Sequence, residues 1–138
     1  MKRSVLSVPV AAILFSFSVA CGNVCSKGAD DCECAGPGVC EWTCPGGECD
    51  YTASGEGEAS FECDEGGCAL SASAAGDVTL DCAGGDCSAT TTGQGTLTVN
   101  CEGGGCVVNC DGQGTCAIND CDDCTCNEGA ITAECSGA

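Results

Sequence analysis

Polar and apolar side chains alternate in short runs along most of this chain. Segments such as VTL at 78–80 and LTV at 97–99 place apolar residues two positions apart, with a hydroxyl residue between them. A period of two is typical of β-strands that bury one face. No segment after residue 20 has the period of a helix with one apolar face. The pattern therefore predicts an all-β protein.

Cysteine marks a repeat of 19 residues in the same region. Most units continue with a second cysteine five residues later, in three of them as C-x-G-G-x-C, and carry a G-x-G segment near the middle. Both glycine segments suit tight turns, so each unit is predicted to contain two strands and two turns. The lead cysteines, spaced by 19 residues except for a last interval of 20, are Cys25, Cys44, Cys63, Cys82, Cys101 and Cys121.

One position of the unit, 17 residues after the lead cysteine, always holds an apolar side chain. Stacked coils would align these side chains in one interior row, because neighbouring repeats of a solenoid bury a core that no unit buries alone. We therefore expect a small disulfide-rich β-solenoid of about six 19-residue, two-strand coils. A disulfide-stapled meander of β-hairpins is the alternative, because the strand pattern alone fits both. The row consists of Trp42, Phe61, Leu80, Val99 and Ile118.

The first 20 residues have the composition of an export signal. Lys2 and Arg3 precede an uncharged, mostly apolar run over residues 5–19, and small residues stand before Cys21. This order predicts a signal peptide, and a run of about 15 residues is short for a membrane span. The predicted organisation is a signal peptide at 1–20 and one cysteine-rich repeat domain at 21–138.

The N-terminal segment resembles a bacterial lipoprotein signal peptide, in which Cys21 would be the lipidated residue. Ser18 stands where that family usually has leucine, so ordinary cleavage after Ala20 is the alternative. The 19 cysteines are an odd number, and lipidation of Cys21 would leave an even number for pairing. The resemblance implies a protein of the bacterial cell envelope, held to the outer membrane or cell surface by an N-terminal lipid.

Disulfides are expected to supply stability that the core lacks. Large apolar side chains are few after residue 20, and a short exported chain with this much cysteine is typical of a disulfide scaffold. Cysteines flank the first turn in most units and the second turn in two of them. The predicted pairs are Cys25–Cys32, Cys34–Cys40, Cys44–Cys49, Cys63–Cys68, Cys82–Cys87, Cys101–Cys106, Cys110–Cys116, Cys121–Cys126 and Cys124–Cys135.

A thiolate cluster of the metallothionein kind is the rival use of these cysteines. The spacings Cys121-x-x-Cys124 and Cys124-x-Cys126 suit metal ligands. The export signal favours disulfides, because these persist in oxidising compartments.

The C-x-G-G-x-C units resemble those of Cys- and Gly-rich repeat lipoproteins of bacteria, a likeness that implies no activity. Three units carry it, at 63–68, 82–87 and 101–106, and in the first of these the glycine pair is shifted by one position, as C-D-E-G-G-C. In architecture, the repeat also looks loosely like the disulfide-filled β-solenoid antifreeze proteins of insects, which have shorter coils and regular Thr-x-Thr rows.

Charge and composition exclude several classes of function. The formal net charge is −18, and all 21 acidic residues follow residue 20, where Lys27 is the single base. Nucleic-acid binding needs a basic surface that this chain lacks. The absence of histidine removes the usual catalytic base, and the carboxylate pairs stand in or near turns. We expect no enzyme and no nucleic-acid partner.

Two outward-facing sets of side chains are candidates for binding. The first, Glu58, Glu62, Asp77 and Asp81, could hold Ca²⁺ weakly on one face, although an ordinary solvated strand face has the same composition. The second is a hydroxyl array that could bind ice or glycans, or be plain polar strand surface. Its members are Thr52, Ser54, Ser71, Ser73, Ser88, Thr90 and Thr92.

The sequence is thus expected to encode an exported, lipid-anchored, non-enzymatic cell-envelope protein. Its role would be that of a rigid structural module or of a module for adhesion or ligand display. A weak Ca²⁺-binding surface protein and an ice-binding protein are the alternatives. No protein or glycan partner is indicated by any motif.

Overall fold

The computed structural model describes residues 23–24 and 32–129. The predicted signal peptide, Cys21, Cys25 and Cys135 lie outside the described residues. The described part folds as β-strands and turns and contains no helix. It accordingly holds no helix long and apolar enough to cross a membrane.

The strands of the described residues alternate between two parallel sheets. Sheet A contains the odd-numbered strands and sheet B the even-numbered ones, each in sequence order. The strands are β1 Asn23–Val24, β2 Cys32–Cys34, β3 Cys40–Cys44, β4 Asp50–Ala53, β5 Ala59–Cys63, β6 Ala69–Ala72, β7 Val78–Cys82, β8 Ser88–Thr91, β9 Thr96–Asn100, β10 Val107–Cys110, β11 Thr115–Asn119 and β12 Thr125–Glu128.

Within the described residues, each strand from β1 to β10 pairs in parallel with the strand two places further along the chain. Phe61 lies opposite Leu80, and Leu80 opposite Val99, so residues 19 positions apart stack directly. A hairpin meander would require antiparallel neighbours, and that alternative is wrong. The predicted β-solenoid of about six two-strand coils is confirmed.

The predicted interior row forms the sheet A side of the core. Phe61, Leu80 and Val99 are 0% exposed, and Ile118 is also buried. Trp42 departs from this, because it is only partly buried where it packs against the core. Its strand β3 has on its outer side only the two-residue strand β1, so the indole is covered less completely than the side chains of the later coils.

Side-chain size is balanced within the coils. The rings of Tyr51 and Phe61 meet across the core with centroids 4.6 Å apart, and the adjoining interior positions of that coil hold Ala53 and Ala59. Two coils later an alanine stands at the position of Tyr51, and Leu97 at the position of Ala59. From one coil to another, the larger side chain thus changes from the sheet B row to the sheet A row. This exchange keeps the interior filled while the number of residues per coil stays constant.

Tyr51 has a polar group that needs a partner inside the core. Its hydroxyl donates a hydrogen bond of 2.8 Å to the backbone oxygen of Glu62. Burial raises the pKa of Tyr51 to about 12, with the carboxylates of Asp64 and Glu62 adding to the effect. The folded protein therefore favours Tyr51 in its neutral, protonated form.

Ionisation of Tyr51 should report on folding directly, because it is the single tyrosine of the chain. Its pKa is raised from 10.0 to about 12 in the folded state. The stability linked to it is fully present below pH 10 and is lost as the pH rises through 12. Phenolate absorbance, followed against pH in buffer and in denaturant, should give two curves separated by about this shift. Coincident curves would contradict the burial of Tyr51.

Close contact between coils demands glycine in both turns, and backbone conformation adds to this in the first turn. There Gly66 has a φ of 78°, a left-handed conformation that favours glycine, and a Cβ would also collide with the backbone oxygen of Gly85 in the next coil. In the second turn, Gly57 has no such φ, but a Cβ there would collide with the backbone oxygen of Gly38 in the preceding coil. The G-x-G segment therefore reflects close contact between coils, whereas the sequence suggested backbone conformation alone.

Replacing Gly57 by alanine should destabilise the protein by about 2–3 kcal/mol, because the coils must separate to admit the methyl group. Gly38→Ala is the matched control, since the same position of the first coil has nothing within 4 Å of the added Cβ. It should be neutral or stabilising by about 0.4–1 kcal/mol. Denaturant unfolding measures both changes, and equal midpoints would refute the contact argument.

Candidate functional site

Disulfide bridges line the interior at both turns. Six predicted bridges are present, with Cα atoms 5.9–6.4 Å apart. Cys32 is disulfide-bonded as well, while its predicted partner Cys25 lies outside the described residues. The confirmed bridges are Cys34–Cys40, Cys44–Cys49, Cys63–Cys68, Cys82–Cys87, Cys101–Cys106 and Cys110–Cys116.

The last coil is bridged differently from the prediction. Cys121 is bonded to Cys124, with Cα atoms 5.8 Å apart. The predicted pairs Cys121–Cys126 and Cys124–Cys135 are therefore wrong. Cys126 belongs to another disulfide.

Strand register explains this change. Val107 of β10 lies opposite Thr125 of β12, a separation of 18 residues where earlier coils have 19. The first turn of the last coil is one residue shorter, so Cys124 immediately precedes its strand, as Cys106 does one coil earlier. Cys126 lies opposite Val108 and joins the interior row of sheet B. Alignment of the strands, instead of the lead cysteines, was the signal that could have revealed this.

The sulfur atoms of the first-turn bridges approach one another from coil to coil. Three groups have their Sγ atoms within 4.8 Å of one another. All of these cysteines are bridged, so none offers a thiolate to a metal ion while its bridge is intact. The groups are Cys63, Cys82 and Cys87; Cys82, Cys101 and Cys106; and Cys101, Cys121 and Cys124.

The four candidate Ca²⁺ ligands lie on the outer face of sheet A, as two separate pairs. Glu62 lies opposite Asp81, and Glu58 and Asp77 precede the same two strands. The two pairs are four positions apart along the strands, or about 13 Å, too far for one ion. In the described residues, no three carboxylates bring their oxygen atoms within 4.8 Å of one another. The predicted side chains thus share a face but do not converge on one site.

Side chains of neighbouring coils donate hydrogen bonds to one of these pairs, Glu62 and Asp81. The hydroxyl of Thr43 donates to a carboxylate oxygen of Glu62 at 3.1 Å, and the amide of Asn100 donates to Asp81. Asn119 in turn donates to the side-chain oxygen of Asn100 at 2.9 Å. These asparagines were not among the predicted site residues, although Asn100 stands 19 residues after Asp81 and Asn119 stands 19 residues after Asn100. The carboxylates thereby join a side-chain ladder along the solenoid.

A shallow depression of about 430 Å³ lies beside this ladder on the same face. Hydroxyl groups and carboxylates line it, and the backbone N–H of Thr96 donates to Asp77 at 3.4 Å. Its polar lining offers hydrogen bonds and negative charge to a cation. The polar lining side chains are Glu41, Glu58, Ser60, Asp77, Thr79, Thr96 and Thr98.

The predicted hydroxyl array lies on the outer face of sheet B. Thr52 lies opposite Ser71, and Ser71 opposite Thr90, one coil apart. Two asparagines missed in the sequence analysis extend this row: Asn109 donates to the hydroxyl of Thr90 at 3.4 Å, and Asn127 to Asn109 at 2.7 Å. We call these five residues the hydroxyl–amide row. It runs from β4 to β12 at the spacing of parallel strands, about 4.8 Å, and Glu33 occupies the same position in β2.

Comparison of this chain with family models, with curated proteins and with solved structures found no match.

Proposed function

We propose that the chain is an exported, non-enzymatic module whose rigid solenoid presents its outer faces to ligands or neighbouring molecules of the cell envelope. The observation that carries this proposal is the hydroxyl–amide row, in which equivalent polar side chains repeat in five successive strands of sheet B, from β4 to β12. A regular row of donors and acceptors suits a repetitive partner such as a polysaccharide. Its side chains repeat at the strand spacing of about 4.8 Å.

Rigidity supports this role. Bridges span the first turn in successive coils, and the interior positions between the two sheets are filled by buried side chains. A surface that is ordered before binding loses less conformational entropy when a ligand docks. The high acidic content keeps such a surface solvated and resists self-association.

Attachment to the membrane through Cys21 is the second part of the proposal. It rests on the resemblance of residues 1–21 to a lipoprotein signal. A Cys21→Ser variant should move from the membrane fraction to the soluble fraction. Unchanged localisation would leave plain secretion as the better description.

Binding to isolated envelope polysaccharide tests the display role. Ser71→Tyr with Thr90→Tyr would cover the hydroxyl–amide row with rings, and tyrosine is well tolerated in strands. Ser60→Tyr with Thr79→Tyr is the matched control on the outer face of sheet A. Loss of binding in the first variant alone would support display by sheet B. Equal binding by wild type and both variants would contradict it.

Ice binding is a second candidate, favoured by the same regular row of hydroxyl groups on a parallel sheet. Thermal hysteresis of the purified protein is the direct measurement, and Thr90→Val should reduce it. Calcium binding is a weaker candidate, because its four carboxylates form two separate pairs.

A further inference from the structure

The last first-turn bridge differs from the four before it. Cys121 and Cys124 form a C-x-x-C bridge, in which Cys121 is 9% exposed and Cys124 is partly exposed. The cysteines of the four preceding first-turn bridges are all buried. An attacking thiol needs access to a sulfur atom of the bridge. Among the first-turn bridges of the described residues, the bridge of the last coil is the most accessible to solvent.

The same bridge has an internal neighbour. The Sγ atom of Cys101 lies within 4.8 Å of the Sγ atoms of both Cys121 and Cys124. Cys101 is itself bonded to Cys106, one coil earlier. A cysteine freed at the end of the solenoid would therefore stand beside a second disulfide.

We propose that Cys121–Cys124 is a thiol–disulfide exchange site for a dithiol partner, with Cys101–Cys106 as its internal exchange partner. This activity is separate from the display role proposed above. It uses the end of the solenoid, whereas display uses the faces.

The external reaction is a two-step oxidation of the dithiol. One partner thiolate attacks Sγ of Cys124, the Cys121–Cys124 bond breaks, and Cys121 leaves as a thiolate that takes up a proton. The other thiolate of the same dithiol then attacks the dithiol sulfur that is bonded to Cys124. Cys124 leaves as a thiolate and is protonated. Two electrons and two protons pass from the dithiol, which becomes a disulfide, to the two cysteines.

The internal reaction moves the dithiol one coil inward without net oxidation. The thiolate of Cys121 attacks Sγ of Cys101, forming Cys101–Cys121 and releasing Cys106 as a thiolate. The thiolate of Cys124 then attacks Sγ of Cys121, which restores Cys121–Cys124 and releases Cys101. Sulfur contacts of the same kind continue to Cys82.

A single substitution isolates the internal step. In a Cys124→Ser variant, Cys121 has lost its partner and lies beside the Cys101–Cys106 bridge. Alkylation of free thiols, followed by non-reducing cleavage at Asp and Glu and mass spectrometry, should place label on Cys106. The labelled fraction should rise with pH, because the thiolate is the attacking species. Label confined to Cys121 would overturn the internal step.

Cys116→Ser is the matched control for this variant. It leaves Cys110 without its partner at the second turn, and Cys110 belongs to none of the sulfur groups within 4.8 Å. Its label should stay on Cys110. Equal migration of the label in both variants would indicate general scrambling and would overturn a specific exchange site.

The unmodified protein provides a test that does not depend on how the variants fold. Treatment with a limiting amount of dithiothreitol, quenched at intervals by alkylation, should label Cys121 and Cys124 first and Cys101 and Cys106 next. Simultaneous labelling of Cys82 and Cys87 would overturn the assignment of the last coil as the exchange site.

Discussion

Complete reduction of the disulfides should unfold the solenoid at room temperature. Each first-turn or second-turn bridge closes a short loop, which stabilises the fold by about 2 kcal/mol in the chain-entropy model. Seven bridges lie among residues 34–124, so their sum is about 15 kcal/mol as an upper limit, because such contributions do not add fully. Whole domains are commonly stable by only about 5–15 kcal/mol.

Circular dichroism in increasing denaturant, with and without an excess of a phosphine reductant, measures this effect. The oxidised protein should unfold at a much higher midpoint, and the reduced protein should lack strand signal even without denaturant. Equal midpoints in the two conditions would mean that side-chain packing alone holds the coils together.

Two matched variants separate loop closure from packing. The double variant Cys34→Ala, Cys40→Ala has the same side chains at the second turn as the next coil. There Ala53 and Ala59 lie opposite Cys34 and Cys40. The double variant should therefore cost about the loop-closure value of 2 kcal/mol. Removal of Cys82–Cys87, at the centre of the stack, should cost more, because it also opens a cavity between bridged coils.

The coil architecture was predictable because a solenoid repeats its register at every turn of the chain. The 19-residue spacing of the lead cysteines is the same number that separates Phe61 from Leu80 across the sheet. A periodic sequence therefore reports a spatial spacing directly. The parallel direction of the strands follows once the coils are stacked.

The last coil could not be predicted in the same way, because its period changes. One residue is inserted before Cys121 and two are removed after it, relative to the earlier units, so strand β12 is shifted by one position. Counting five residues from the lead cysteine then assigns Cys126 to the end of the first turn, which Cys124 occupies in the structure. The interior row, which needs an apolar side chain opposite Val108, would have placed Cys126 correctly.

The sequence predicted which side chains lie on an outer face, but not whether they form a binding site. Alternation placed Glu58, Glu62, Asp77 and Asp81 on one face, and the structure agrees. Alternation assigns a side chain to a face but does not bring side chains together, because those on one face recur about every 6.7 Å along the strand. Convergence on an ion requires loops or bulges that bend a strand, and this regular repeat has straight, stacked strands at that place.

Phe61→Ala should be the most damaging single core substitution after loss of the bridges. Phe61 is 0% exposed and packs against Tyr51 at 4.6 Å between ring centroids. Removing the ring loses its transfer free energy and leaves a cavity, with an expected cost of about 3–5 kcal/mol. Val39→Ala is the surface control, because Val39 is 66% exposed and its change should stay within about 0.5 kcal/mol.

Phe61→Leu distinguishes size from position in this row. Leucine already fills the equivalent place in the next coil, as Leu80, so this variant should cost less than the alanine variant. In a solenoid each coil contacts mainly its neighbours, and the damage from Phe61→Ala should be greatest in the adjoining strands. Amide hydrogen exchange should therefore accelerate most in β3, β5 and β7 and least in β11. Uniform acceleration along all strands would show that the bridged stack unfolds as one cooperative unit instead.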